Sequence, residues 1–417
     1  MAQHFFESPI LSSPYAYPSR HWELDVDGQP TDRILDVRRP ASFITPVPKP
    51  KKRKKAAKGG KQTDLPFGSD EGISTDRQAY DPTWLINTVR REVDIWRNLP
   101  RPEQWGVTPE TARLLQHWRH HDFQGIRPFF CQVEAVETLI WITEVLPQLK
   151  RSDQKIRTLI RNANQAANPS LHRIALKLAT GAGKTMVMAM IISWQTVNAV
   201  RHPNSKLFTR GFLVVAPGLT IRDRLRVLHP SDADSYYTAR ELIPPDMAAD
   251  LGRAKIVVTN YHAFKLRERM DLSKGGRALL QGRGPALETL ESDGQMIQRV
   301  MPALMGFKNI LVINDEAHHC YRERPQTDDV ADLTGDEKEE AKQNNEAARL
   351  WISGIEAVKR KLGVRSVIDL SATPFFLRGS GYAEGTIFPW TVSDFSLMDA
   401  IESGIVKLPR VPVADNI

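Results

Sequence analysis

Residues 171–192 constrain the fold of this chain more than any other stretch, because three kinds of segment follow one another there. Residues 174–179 are a short, mostly apolar run of the kind that a buried parallel strand shows. A turn without bulky side chains follows and consists of Thr180, Gly181, Ala182 and Gly183. Lys184 and Thr185 then open an apolar segment long enough for a buried helix. This order predicts a phosphate-binding loop.

The chemistry of such a loop explains the residue types. Glycines let backbone N–H groups turn toward a polyphosphate, and the N-terminus of a helix adds the positive end of its dipole. Lys184 supplies a cation for the outer phosphates, and the hydroxyl of Thr185 can bind Mg²⁺. The full pattern G-x-x-x-x-G-K-[ST] requires glycine at position 178, where this chain has Leu178. Taken alone, the motif is also compatible with a chance Gly-Lys-Thr at a helix start.

Apolar runs and helical segments alternate after this loop, and a polar motif follows each run. The runs are residues 212–216, 256–258, 310–313 and 366–370. The motifs contain, in order, Pro217 and Gly218, Thr259 and Asn260, Asp315 and Glu316, and Ser371, Ala372 and Thr373. The alternation predicts an α/β fold with a parallel sheet, which binds ligands at the carboxyl edge of its strands. Helices are expected over residues 133–149, 219–228 and 348–362, and an exposed acidic loop over 322–347.

Asp315 and Glu316 have the chemistry that an Mg²⁺·ATP site needs opposite its phosphate loop. Asp315 would hold the metal through water, and Glu316 would orient and deprotonate the attacking water. The alternative is a pair of acids at a strand end, which is common in loops. The pair follows a buried strand downstream of Gly-Lys-Thr, and the two motifs together predict a nucleoside triphosphatase with ATP and Mg²⁺ as its cofactors.

Composition excludes several classes of protein. At 417 residues and 41% hydrophobic content, the chain can bury at least one large core. Its apolar runs are too short to cross a membrane, and the N-terminus lacks the pattern of a secretory signal. Only Cys131 and Cys320 are present, so neither a disulfide framework nor a cysteine zinc site is indicated. These features predict a reducing, cytoplasmic location and no membrane partner.

The net charge of +8 comes from one short segment. Residues 49–61 contain eight Lys and Arg residues and no acid. Without them, the 57 basic residues fall to 49, which equals the number of acidic residues. Such a run is compatible with a flexible linker, with non-specific phosphate contacts, or with a nuclear import signal in a eukaryotic cell.

Gln132 lies just upstream of the phosphate loop. Its side-chain amide both donates and accepts hydrogen bonds, so it could read the edge of an adenine. An ordinary helix-capping role is the alternative that composition alone favours.

Taken together, the motifs resemble those of superfamily 2 helicases, in the order of that family. Residues 178–185 resemble motif I, residues 315–318 resemble motif II, and residues 371–373 resemble motif III. Residues 214–217 are similar to motif Ia, and residues 257–261 to motif Ib. Residues 127–132 are similar to the adenine-reading Q motif, with two extra residues before Gln132.

Within that superfamily, residues 125–405 resemble the motor subunit of type III restriction enzymes. The resemblance carries roles to individual positions. Lys184 and Thr185 would bind phosphate and Mg²⁺, with Thr180, Gly181, Ala182 and Gly183 around them and Gln132 at the adenine. Asp315 and Glu316 would be metal ligand and base, and His318 would couple the nucleotide to DNA together with Ser371, Ala372 and Thr373. The DNA backbone would contact Pro217, Gly218, Thr259 and Asn260.

The same resemblance implies partners and a domain plan. Double-stranded DNA would be the track, and a second RecA-like domain, a nuclease domain and a modification or specificity subunit would complete the enzyme. A helical and partly disordered N-terminal extension would precede the RecA-like P-loop NTPase domain. The expected segments are an extended arm (1–48), a basic flexible linker (49–78), a helical region (79–124), the first motor domain (125–405) and the start of a linker to a second domain (406–417).

Two features of that family are not recognised in the sequence. Residues 281–284 have the form of a motif of the second motor domain, but they precede Asp315 in the chain. Residues 340–342 have the Glu-x-Lys form of a nuclease, but they lie in a charged, helical stretch. Because the second motor domain supplies arginine fingers, worth about a thousandfold in turnover, we expect this chain alone to hydrolyse ATP slowly.

Two other functions fit part of the pattern. A nucleic-acid-binding module could use ATP only as a conformational switch, without hydrolysis. A metabolic P-loop kinase would need a small-substrate pocket and would not need the motifs after residues 216, 258 and 370.

Overall fold

A computed structural model describes residues 3–41, 82–150, 154–268, 290–324, 335–377, 380–382 and 385–408. In these ranges the chain forms a six-stranded sheet with helices on both faces and a separate two-stranded hairpin. No helix in the described ranges is long and apolar enough to cross a membrane.

All strands of the large sheet are parallel, and the phosphate loop follows a strand next to one edge. The hairpin strands are β1 (His21–Leu24) and β2 (Pro30–Leu35). The sheet strands are β3 (Arg173–Leu178), β4 (Gly211–Ala216), β5 (Lys255–Asn260), β6 (Ile310–Asp315), β7 (Val364–Ser371) and β8 (Thr391–Phe395). Their order across the sheet is β5-β4-β6-β7-β3-β8. The strand that carries the phosphate loop and the strand that carries the acidic pair therefore flank β7.

The helices lie before, between and after these strands. The longer ones are Pro82–Arg97, Pro109–His120, Phe130–Ile140, Lys155–Ala167, Lys184–Arg201, Asp293–Val300 and Gly335–Leu362. Shorter ones are Gln3–Glu7, Leu219–Arg224, Tyr236–Ala239, Ala248–Leu251 and Leu397–Glu402.

Alternating side chains of the strands build a separate core on each face of the sheet. Leu176, Val214 and Ile313 point to one face, where they pack with the helices Phe130–Ile140 and Lys184–Arg201. The neighbouring residues of the same strands, such as Leu213 and Val312, point to the other face and pack with the helix Gly335–Leu362. Because both faces are covered, the strands are apolar runs without a polar side, as expected for a parallel sheet.

The N-terminal residues are anchored on the helix that follows β8. Phe5 and Trp22 are buried with Ile401 of the helix Leu397–Glu402. Arg39 Nη2 donates to Glu402 Oε1 over 2.5 Å, and the backbone N–H of Trp22 donates to the same oxygen over 3.0 Å. The hairpin and the residues after it therefore pack at the edge of the sheet where β8 lies.

The sequence predicted five strands of the large sheet and the fold class, and the structure confirms them. The expected acidic loop over residues 322–347 is partly wrong, because a helix begins at Gly335 and continues through the acidic stretch to Leu362. Glu and Lys spaced along its exposed face are good helix formers, which the acidic composition concealed. The predicted linker (49–78) and residues 281–284 lie outside the described residues, as do residues 409–417 of the last expected segment.

Candidate active site

The phosphate loop takes the shape that its glycines permit. Gly181 has φ +87° and Gly183 has φ +78°, in the left-handed region that favours glycine. The helix Lys184–Arg201 begins directly after Gly183, so its first N–H groups face the loop. A Cβ added to Gly183 would overlap with Nε2 of Gln132. Any other residue here would be strained at this φ and would displace the end of the Gln132 side chain.

Gln132 supports the phosphate loop through hydrogen bonds of its side-chain amide. Its Nε2 donates to the carbonyl oxygen of Ala182 over 2.8 Å, and its Oε1 accepts from the N–H of Phe129 over 2.8 Å. The side chain is buried, with 3% of its surface exposed. The structure therefore gives Gln132 both a capping role and a contact with the loop, and adenine recognition by this residue stays a prediction.

The acidic pair meets the phosphate loop at the carboxyl edge of the sheet. Asp315 is the last residue of β6, and Glu316 follows it with φ +49°, an uncommon conformation for a residue with a side chain. Lys184 Nζ lies 2.8 Å from Glu316 Oε1. One strand, β7, separates β3 from β6, so at about 4.8 Å per strand the two strands lie about 10 Å apart, a distance that the side chains of Lys184 and Glu316 span together. The strained backbone at Glu316 aims its carboxylate at the loop.

Asp315 has a carboxylate oxygen without a partner. Its Oδ1 is buried and accepts no hydrogen bond from any described residue. Burial and the neighbouring charge of Glu316 raise the pKa of Asp315 to about 6, and the charge of Lys184 opposes this shift. A divalent cation would satisfy this oxygen and offset the cost of burying the charge.

The arrangement fits Mg²⁺ that is shared with a phosphate. The described residues contain no group of three His, Cys, Asp or Glu side chains that could hold a metal by themselves. Mg²⁺ in nucleotide sites uses one or two protein oxygens and completes its shell with phosphate and water. Asp315 and Thr185 supply that kind of donor set.

His318 joins the acidic pair to the end of β7. Its Nδ1 lies 3.0 Å from the hydroxyl of Ser371, and the same hydroxyl accepts from the N–H of Thr373 over 3.1 Å. Burial and the neighbouring His319 lower the pKa of His318 to about 4, so its ring is neutral at physiological pH. The predicted motifs II and III are therefore in direct contact, with Ala372 in the turn between the two hydrogen-bonded residues.

A buried polar network under the acidic pair was missed by the sequence reasoning. Asp369 of β7 accepts from Arg173 Nε over 2.8 Å and from Asn314 Nδ2 over 2.8 Å. Arg173 Nη2 donates to the carbonyl oxygen of Cys320 over 2.7 Å. Asn314 directly precedes Asp315, so the network fixes both ends of the acidic motif. The signal was weak: Arg173 at the start of β3 and Asp369 within β7 are charged residues in strands that are otherwise largely apolar.

The four residues predicted to contact nucleic acid lie at one edge. Pro217 and Gly218 directly follow β4, and Thr259 and Asn260 end the adjacent β5. Asn260 is 7% exposed, and its Oδ1 accepts from the N–H of Ala263 over 3.2 Å. Asn260 therefore caps the turn after the strand, and contact of these four residues with DNA stays a prediction.

Comparison with known proteins gives one family. The family model of the type III restriction enzyme, res subunit, matches residues 128–376. The matched range is more than half of the chain and includes the phosphate loop, the acidic pair and the Ser371–Thr373 turn. A comparison with curated proteins found no match.

Proposed function

This chain belongs to the family of type III restriction enzyme res subunits, and on that premise we propose that it is an ATP-hydrolysing motor acting on double-stranded DNA. The matched region is a motor domain of helicase superfamily 2 with a P-loop NTPase fold. Residues 125–405 form the first motor domain in this proposal, and residues 1–124 are its extension.

One observation carries the proposal. The 2.8 Å contact between Lys184 Nζ and Glu316 Oε1 brings the phosphate-binding cation and the candidate base to one point. These residues are 132 positions apart in sequence, and they come from two strands that are not adjacent in the sheet. A chance Gly-Lys-Thr at a helix start would not have an acidic partner from a distant strand.

Each residue has a chemical task in this proposal. The N–H groups of the loop and Lys184 would bind the phosphates of ATP, while Thr185 and Asp315 would hold Mg²⁺. Mg²⁺ supplies positive charge that neutralises the phosphate oxygens. Glu316 accepts a proton from the attacking water, and Lys184 leaves Glu316 to bind phosphate when ATP enters. Lys184 therefore exchanges one anionic partner for another.

Coupling to DNA would use the contacts around Ser371. Its hydroxyl joins His318 to the turn that contains Ala372 and Thr373, so a shift at the acidic pair moves the end of β7. Pro217, Gly218, Thr259 and Asn260 would contact the DNA backbone. A second RecA-like domain, a nuclease domain and a modification or specificity subunit complete the proposed cytoplasmic enzyme.

A switch that binds ATP without hydrolysis is the second candidate. The two candidates differ at Glu316, because a switch needs the phosphate loop but no base. Exchange of the Glu316 carboxylate for an amide would leave the ATP binding of such a switch unchanged.

Glu316→Gln tests the proposal directly. ATP affinity is measured by calorimetry and turnover by phosphate release, for the unchanged chain, Glu316→Gln and the control Glu323→Gln, a substitution outside the site. We expect Glu316→Gln to bind ATP and to lose at least about a hundredfold in turnover, the lower range of a general base, while Glu323→Gln retains both. Equal turnover in all three proteins would refute hydrolysis at this site.

A further inference from the structure

A cavity lies between the N-terminal arm and the helices that precede the phosphate loop. Its volume is about 380 Å³, which is within the range of small-ligand sites. Its walls contain aromatic and charged side chains from four parts of the chain, namely residue 15 and the ranges 97–105, 118–123 and 127–137. They include Tyr15, Trp105, Trp118, Phe123 and Phe130.

Two tryptophans line this cavity, and neither has a free hydrogen-bond donor. The indole N–H of Trp105 donates to the carbonyl oxygen of Leu99 over 3.1 Å, and that of Trp118 donates to the carbonyl oxygen of Leu242 over 2.9 Å. Both rings are fixed by these bonds and nearly fully buried. Fixed aromatic faces favour a planar ligand that can stack on them.

Two arginines on one carboxylate complete the wall. Glu137 accepts from Arg97 Nε over 2.5 Å and from Arg119 Nε over 2.7 Å, so both guanidinium groups are held in place. Arg97 lies 4.9 Å from the ring centre of Phe130, and Arg119 lies 4.6 Å from that of Trp105. Arg97, Arg119 and Glu137 form a clamp that keeps the two guanidinium groups stacked on aromatic rings of the same cavity.

The clamp leaves hydrogen-bond donors unused. Nη2 of Arg97 and Nη2 of Arg119 are buried, and neither has a hydrogen-bond partner among the described residues. Glu134 Oε1 lies 3.7 Å from Nη2 of Arg97, beyond hydrogen-bond distance. Buried donors without partners are rare, because each one loses its bonds to water. Ring nitrogens or carbonyl oxygens of a ligand are the acceptors that such donors require.

Arginines outnumber carboxylates among the lining residues, and Arg97 also pairs with Asp94 and Glu134 outside the lining. Arg97, Arg119 and Arg127 line the cavity, and Glu137 is the one carboxylate among its lining residues. His120 and Arg127 are exposed at its rim. A phosphate group at the rim would meet these side chains while the attached ring enters the cavity.

None of the residues that line the cavity belongs to the phosphate loop or to the acidic pair. Both sites use the helix Phe130–Ile140, but they use different faces of it. Gln132 contacts the loop, whereas Phe130, Val133 and Glu137, spaced by three and four positions, line the cavity. A ligand in the cavity is therefore distinct from the phosphates bound at Lys184.

We propose that this cavity binds a nucleobase of a nucleotide, stacked between its aromatic walls and hydrogen-bonded by Arg97 and Arg119. The source of the base is either a free mononucleotide or an unpaired position in a DNA strand. The proposal goes beyond ATP hydrolysis and does not depend on it.

Photocrosslinking tests the proposal in the full chain. Two probes are used, 5-iodo-dUMP and a single-stranded oligonucleotide with one 5-iodouracil, both with Lys184→Ala so that the phosphate loop does not contribute. Irradiation links iodouracil to adjacent aromatic residues, and mass spectrometry locates the link. We expect links at Tyr15, Phe123 or Trp105. Links with the mononucleotide identify a free nucleotide as ligand, and links with the oligonucleotide alone identify DNA.

Matched arm variants provide the control. Tyr15→Ala removes a wall of the cavity, whereas Tyr17→Ala removes a tyrosine of the same arm that packs on Phe130 from outside the cavity. We expect Tyr15→Ala to lower the crosslink yield at Phe123 and Trp105 at least fivefold and Tyr17→Ala to leave it within twofold. Links only outside the cavity, or equal yields in both variants, would overturn the proposal.

Discussion

The amide of Gln132 links the phosphate loop to the start of the helix Phe130–Ile140. Both ends of its amide are bonded to the protein, one to Phe129 and one to Ala182. Removing the amide leaves a buried carbonyl oxygen of the phosphate loop without its donor, which costs about 1–3 kcal/mol. Because this carbonyl oxygen belongs to the phosphate loop, its loss of a donor should weaken ATP binding.

Gln132→Leu should therefore raise the Kd for ATP about tenfold, which corresponds to about 1.4 kcal/mol. Gln195→Leu is the control. Gln195 is also buried and accepts from the N–H of Thr209, far from the loop. Both variants should lose stability in thermal unfolding, and only Gln132→Leu should lose affinity in calorimetry. Equal affinities would mean that the amide does not hold the loop.

Alanine substitutions at Gly183 and Gly106 distinguish the effect of backbone strain from the effect of steric overlap. Their φ angles are +78° and +65°, but a side chain would meet a neighbour only at Gly183, where a Cβ would overlap with Gln132 Nε2. Alanine in the left-handed region costs about 1–2 kcal/mol at either position. Gly183→Ala should also displace the Gln132 side chain and raise the Kd for ATP more than tenfold.

Gly106→Ala should lower the melting temperature and leave ATP binding unchanged. Calorimetric titration of both variants checks the pair. ATP binding by Gly183→Ala with normal affinity would show that the loop tolerates the displacement of Gln132.

At the scale of elements, the hairpin is attached through a buried carboxylate that titrates near neutral pH. Burial raises the pKa of Glu402 to about 7 from 4.5, although the charge of Arg39 opposes the shift. The attached state thus holds a proton more tightly than the free segment does. Its stabilisation is complete below about pH 4.5 and is lost as the pH rises to about 7.

Hydrogen exchange of the strands β1 and β2 should therefore become faster between about pH 5 and pH 7, after correction for intrinsic exchange. Glu402→Gln keeps an acceptor for Trp22 and cannot ionise, so its protection should not change over this range. Glu23→Gln, a change on the hairpin outside the buried contact, should behave like the unchanged chain. The same pH dependence in all three proteins would contradict a role for Glu402.

The elements that the sequence predicted are those with a strong local pattern. Five strands of the large sheet are continuous apolar runs, and the phosphate loop and acidic pair follow two of them. β8 was not predicted because Ser393 and Asp394 interrupt its apolar residues. The hairpin was not predicted because its two strands contain charged residues among the apolar ones. Their pairing depends on contacts with residues distant in sequence.

The same limit applies to the site. Lys184 and Glu316 were predicted from short motifs, but the network of Arg173, Asn314 and Asp369 was not. Each member of that network is a polar residue in a largely apolar strand, and its partners lie up to 196 positions away. Only the register of β3, β6 and β7 brings them together.

At the scale of the whole molecule, one sheet edge collects all the predicted motifs. β7 lies between β3 and β6, so the turn after β7 contacts the acidic motif and the phosphate loop lies one strand further on. In this family the arginine that completes the ATP site would come from the second motor domain. In the proposed function the described sheet is one motor unit, and slow turnover by residues 1–417 follows from that proposal.

Steady-state ATP hydrolysis by residues 1–417, with and without double-stranded DNA and beside Lys184→Ala, is the most direct test of the proposed motor site. We expect slow turnover that DNA changes little and that Lys184→Ala abolishes together with ATP binding. Turnover that survives Lys184→Ala would contradict the assignment of the phosphate loop. Fast, DNA-stimulated turnover would show that residues 1–417 already contain a complete ATP site.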